Sequence, residues 1–145
     1  MDKINTIKAT VFTVLGILGS TIANLLGGFD MALQILIGFM AVDYMTGLVV
    51  AGVFKKSGKS ENGALESRAG WKGLCRKGGT LVMVYVATQL DKITGTRLIR
   101  DAVIIGYLAN ELLSITENIG LMGIPVLPVI ENAIDILRKK SEGEE

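Results

Sequence analysis

Two apolar runs stand back to back at the start of this chain: Ala9 to Phe29 carries no charge, and Met31 to Phe54 carries only Asp43. At about 1.5 Å per residue, each makes a helix long enough for the roughly 30 Å of hydrocarbon in a bilayer. A core helix of a soluble domain keeps a charged outer stripe. The first run offers only Thr13, Ser20, Thr21 and Asn24 as clearly polar side chains, all uncharged. The pair predicts a membrane protein, all-α, because a helix satisfies its own backbone in lipid.

Gly27, Gly28, Phe29 and Asp30 between the runs predict the tight turn of a transmembrane helical hairpin, 9–29 and 31–54. The length of the first run, its lack of an Ala-x-Ala-like end and the second run behind it argue against a cleaved leader. Eighteen glycines among 145 residues and a mean hydropathy of +0.48 suit closely approaching membrane helices. With most of the chain in such segments, one membrane domain over 1–145 is expected, with little chain left for a separate catalytic one.

Residues 55–77 hold Lys55, Lys56, Lys59, Arg68, Lys72, Arg76 and Lys77 against Glu61 and Glu66, which predicts a basic cytoplasmic loop. With two crossings before it, the N-terminus is cytoplasmic as well. Trp71 beside Lys72 suits either the headgroup belt or a cover for apolar surface. A third membrane helix, 78–93, is short unless its flanking charges snorkel to the interfaces. A fourth is expected over 97–119, with Thr96 as N-cap and Gly120 as its stop. The expected architecture is multi-pass, with three or four membrane helices; four crossings place both termini inside, and one of the last two segments lying in the interface is the alternative. Val129 to Lys140 sets Ile130, Ala133, Ile134 and Leu137 opposite Glu131, Asn132, Asp135 and Arg138. It predicts a short amphipathic helix, 129–140, on the inner leaflet or against another subunit, with 141–145 as a disordered tail.

The polar residues inside apolar segments are the candidate functional groups, since ionisable side chains are costly at membrane depth. Asn110, Glu111, Ser114, Glu117 and Asn118 fall within an arc of roughly 120° on a helix. Such a stripe suits a face buried between subunits, the wall of an aqueous pathway, or a helix lying flat with the stripe in water. Asp43 is either an acceptor that pins helices together or a site for a proton or cation. Gly19, Ala23 and Gly27 form one line of small residues at four-residue spacing. Gly16, Ser20, Asn24 and Gly28 form a second. Both suit tight packing, against Ala41, Gly47 and Ala51 of the same chain or against another subunit.

The chain has no His, and its single cysteine, Cys75, excludes an intramolecular disulfide. Cys75 reads as an ordinary interfacial thiol rather than a reactive one. No nucleophile is paired with a base, so no enzyme, metal or cofactor is expected. Two other classes remain. A small ion or drug transporter would use Asp43 or Glu111 as its coupling carboxylate. A membrane adaptor would recruit a soluble partner or anionic lipid through the basic loop.

Three segments resemble the phage lysis and toxin-secretion holin family of Firmicutes and their phages: Asp43 to Gly47 (DYMTG), Leu65 to Lys77 (LESRAGWKGLCRK) and Asn110 to Pro128 (NELLSITENIGLMGIPVLP). The third is the most specific, matching the family's Asn-Glu, Ser-Ile-x-Glu-Asn and Gly-x-Pro elements at Asn110, Glu111, Ser114, Ile115, Glu117, Asn118, Gly123 and Pro125. The resemblance implies a homo-oligomer in the bacterial host's cytoplasmic membrane that accumulates harmlessly and then opens lesions. These depolarise the cell and release endolysin or a toxin. Endolysin is then a functional partner without required contact, lipid is the other partner, and nucleic acid is not.

Overall fold

The computed structural model describes residues 2–143, which form five helices and, among those residues, no strand. α1 spans Asp2–Leu25 and α2 spans Met31–Val49, continuing as one wider π-helical turn, Val50–Phe54, that ends at Lys55 in the left-handed conformation (φ 52°). α3 is Ser67–Thr94, α4 is Leu98–Leu121 and α5 is Pro128–Glu142.

α4 is the centre of the fold and packs against α2, α3 and α5. Leu26 of the turn, Leu33, Leu36 and Met40 of α2, Val84 of α3, and Ile104 and Leu108 of α4 form the apolar core. The contacts show how the helices run. Asp30 meets Arg100 at one end of the bundle, and Asp43 and Thr46 meet Asn118 toward the other, so α2 and α4 are parallel. Lys77 meets Asp43 while Thr88 lies beside Gly27, so α3 is antiparallel to both. α5 doubles back along α4 until Ser141 reaches Gly106.

Local chemistry places the ends. The Asp30 carboxylate accepts from Leu33 N (3.0 Å) and caps α2. Gly95 closes α3 in the left-handed region (φ 73°) and Pro128 opens α5, where a missing N–H costs nothing.

Several expectations are corrected. The turn at Gly27 and Gly28 is present, both with positive φ, yet α1 does not fold back into a packed hairpin: none of its apolar window is buried within the chain. The expected loop 55–77 ends early, because α3 begins at Ser67 and its first turns carry Arg68, Lys72, Arg76 and Lys77; the third segment is therefore Ser67–Thr94 rather than 78–93. Thr96 does not cap α4. Asp91 does, accepting from Ile99 N (3.1 Å), Arg100 N (2.8 Å) and Thr96 Oγ1 (2.6 Å). Gly120 is helical, and the chain turns at Gly123 (φ 84°). The last helix takes in Ser141 and Glu142 of the expected tail, and Glu144 and Glu145 lie outside the described residues. Its stripe, with Ile134 only 4% exposed, packs on α4 of the same chain instead of on the leaflet or a neighbouring subunit.

Three or four membrane helices were expected; two are long and apolar enough to cross by length and composition, Lys3–Leu25 and Met31–Phe54. The reason is charge. α3 carries Arg68, Lys72, Arg76, Lys77, Asp91 and Lys92, and α4 carries Arg100, Asp101, Glu111 and Glu117.

Candidate functional site: a buried charge cluster between three helices

Asp43 projects from the middle of α2 into the seam with α3 and α4 and is 7% exposed. Lys77 of α3 reaches between two carboxylates, its Nζ 2.8 Å from Asp43 Oδ2 and 2.5 Å from Glu111 Oε2 of α4. Asn118, one helical repeat further along α4, donates through Nδ2 to Asp43 Oδ1 (3.1 Å), the Asp43 carbonyl (3.3 Å) and Thr46 Oγ1 (3.0 Å). From the basic loop, Lys59 donates to Ser114 Oγ (3.3 Å) and lies 4.0 Å from Asp43 Oδ1. Two carboxylates thus face two ammonium groups, and the charges balance. Beside them lies a cavity of about 530 Å³, lined among others by Tyr44, Lys59, Arg76 and Glu111.

Balance matters because a buried charge left without a partner is costly, whereas a hydrogen-bonded pair is tolerated. The cluster therefore ties α2, α3 and α4 at one depth. It has no nucleophile paired with a base, and among the described residues no group of three or more His, Cys, Asp or Glu converges on a metal position. Cys75 is exposed.

A second lock sits at the end of the bundle beside the α1–α2 turn. Arg100, 7% exposed, donates from Nε to the Leu26 carbonyl (2.7 Å), from Nη1 to Asp30 Oδ2 (2.7 Å), and from Nη2 to Asp30 Oδ1 and the Gly28 carbonyl (both 3.2 Å). The guanidinium hydrogen bond holds the Asp30 carboxyl below the usual carboxylate range. A Cβ on Gly27 would stand 2.7 Å from Arg100 Nε, so this glycine makes room for the arginine in the turn.

The structure gathers Asp43, Glu111, Ser114 and Asn118, together with Gly47, where a Cβ would lie 3.8 Å from Asn118 Nδ2. Asn110 and Glu117 are exposed and stay out of the cluster's hydrogen bonds. On α1, a Cβ on Gly16 or Gly19 would meet nothing within 4 Å, Ser20 donates back to the Ile17 carbonyl, and Ala23 is half-buried. The small-residue lines thus have no counterpart on α2 of the same chain. Sequence reasoning missed Lys77, Asp91 and Arg100. The signal was available as supply and demand: an apolar segment that buries Asp43 and Glu111 needs a cation, and Lys77 is the last base before the apolar part of α3.

Two long apolar helices joined to a bundle with a neutralised internal charge cluster define a small helical membrane protein. Within that class, residues 20–139 match the bacteriophage holin family, and the chain belongs to it. Relatives include a protein described as a probable holin of Bacillus phage phi105, 30% identical over 76% of each chain. An uncharacterised protein of Listeria innocua is 41% identical over 90% of each chain, and one of Clostridium perfringens, described by its place in the nagH 3′ region, is 33% identical over 85% of this chain and 89% of its own. No solved structure matches.

Proposed function

We propose that this protein is a holin that oligomerises in the bacterial cytoplasmic membrane and opens lesions there, depolarising the cell and releasing endolysin or a toxin. The observation that carries the reading is α1. It is a 24-residue helix whose apolar window has no buried residue, with Phe12 72%, Ile7 63% and Ile17 60% exposed. Such a surface is stable in lipid or against further copies, and its lines of small residues suit the second. The N-terminus and the basic segment after α2 are assigned to the cytoplasm. Asn110 and Glu117, exposed on α4, are assigned to contacts between subunits or to water in the lesion. The transporter reading has less support, because both of its coupling carboxylates, Asp43 and Glu111, are engaged by Lys77.

The test is induction in a bacterial host with and without a cytoplasmic endolysin while membrane potential and viability are followed. Delayed, sudden depolarisation, with lysis only in the presence of endolysin, is expected. An intact potential accompanied by saturable, solute-specific flux would replace the holin reading with the transporter.

A further inference from the structure

α2 crosses the membrane in the reading above, and α4 lies alongside it in step, joined by Arg100 to Asp30 at one end and by Asn118 to Asp43 toward the other. α5 therefore lies at membrane depth. It returns along α4 from Pro128 to Ser141, which packs against Gly106, about 9 Å along the helix from Arg100. Ile130, Ala133, Ile134 and Leu137 face α4, while Glu131, Asn132, Asp135, Arg138 and Lys139 are exposed within an arc of about 120° away from that stripe, with Arg138 at its edge lining a cavity shared with Gly106, Tyr107 and Asn110 of α4. Four charged groups along one face at that depth are tolerated in water and not in hydrocarbon. The buried members of the stripe on α4 are the wrong candidates for a water-filled wall. Glu111, Ser114 and Asn118 spend their hydrogen-bonding capacity on Lys77, Lys59, Asp43 and Thr46 inside the bundle.

We propose that the exposed face of α5, carrying Glu131, Asn132, Asp135, Arg138 and Lys139, is the aqueous wall of the lesion, with α5 still packed on α4. The inference rests on the holin reading. The four charges on this face sum to zero, which suits a lesion that passes solutes of either sign. The outward surface of α3, with Val82, Met83, Val86 and Leu90, is apolar and is left to lipid or to a neighbouring copy.

The geometry supplies its own test. A Cβ on Gly106 would lie 3.5 Å from the Ser141 Cβ, within the span of a disulfide. Since Cys75 is the chain's single cysteine, the full-length variant Cys75→Ser, Gly106→Cys, Ser141→Cys can carry just that bridge. Reconstituted into vesicles of phosphatidylglycerol and phosphatidylethanolamine and oxidised, it is expected to conduct as the Cys75→Ser protein does. Adding Arg138→Glu and Lys139→Glu should raise the K⁺/Cl⁻ permeability ratio about threefold or more, as wall charges do. Two results would overturn the proposal: conduction only after the disulfide is reduced, or an unchanged ratio in a conducting locked protein. If the Cys75→Ser protein and the unmodified chain both fail to conduct, the holin reading itself falls, and that outcome is distinct from the other two.

Discussion

Lys77 is the residue on which the buried cluster turns, since it serves Asp43 and Glu111 together while all three side chains are at most 13% exposed. Lys77→Met keeps the length of the side chain and removes its charge, stranding two carboxylates. It should lower stability by about 3–5 kcal/mol, read as a fall in melting temperature in detergent, with much of the loss recovered when Asp43→Asn and Glu111→Gln are added. Asp30 behaves differently because its side chain is 48% exposed, so its ion pair with Arg100 is screened and contributes modestly. Its carboxyl is held below the ordinary range, so its contribution is complete above that range and is lost as the pH falls through the lowered value. A melting curve followed downward from about pH 5 should therefore decline more steeply for the native chain than for Asp30→Asn. Glu117, exposed on α4, has no part in the cluster. Glu117→Ala should leave the melting temperature within about 0.5 kcal/mol of stability yet change lysis timing or oligomer size. Unchanged timing and oligomers at equal expression would remove Glu117 from the proposed interface.

The helices divide the work between folding and assembly. α2, α3 and α4 are held by shared apolar residues and by the two polar locks, α5 is held by its stripe on α4, and α1 has no extended packing among the described residues. Lipid removes the usual hydrophobic drive between helices, so α1 can associate only through close packing, with each polar contact contributing about 0.5–2 kcal/mol. Gly16→Leu with Gly19→Leu therefore separates the two roles. A Cβ at either position meets nothing within 4 Å in the monomer, so melting of the isolated protein should not change, while chemical cross-linking in membranes should show fewer or smaller oligomers. Loss of monomer stability in that double variant would mean that α1 packs on its own chain after all.

On the scale of the whole molecule, the bundle is fastened by charge at two levels: Arg100 gathers Asp30 and two carbonyls of the α1–α2 turn at one end, and Lys77 gathers the cluster at mid-bundle. Arg100→Leu should release the first level and spare the second. Hydrogen exchange is expected to rise first at residues 26–30 and at the start of α4, with protection near Asp43 and Asn118 kept, at a total cost of about 2 kcal/mol. Exchange rising equally at both levels would show that the locks act as one unit. The all-helical character, the two apolar runs, the Gly27–Gly28 turn and the family resemblance were legible in the sequence, because each depends on composition, period or motif along a continuous stretch. The start of α3 was not, because helical turns rich in Lys and Arg read like a basic loop until Tyr44 packs beside Gly70 and Gly73. Nor was the capping of α4 by Asp91, which rests on a side chain folded back over the turn. The sequence alone determined that Asp43 and Glu111 fall within long apolar segments, where a carboxylate needs a polar partner or water. Only the tertiary structure decided which cation and on which helix, since Asp43, Lys77 and Glu111 stand 34 residues apart in each step and become neighbours only when α2, α3 and α4 pack side by side.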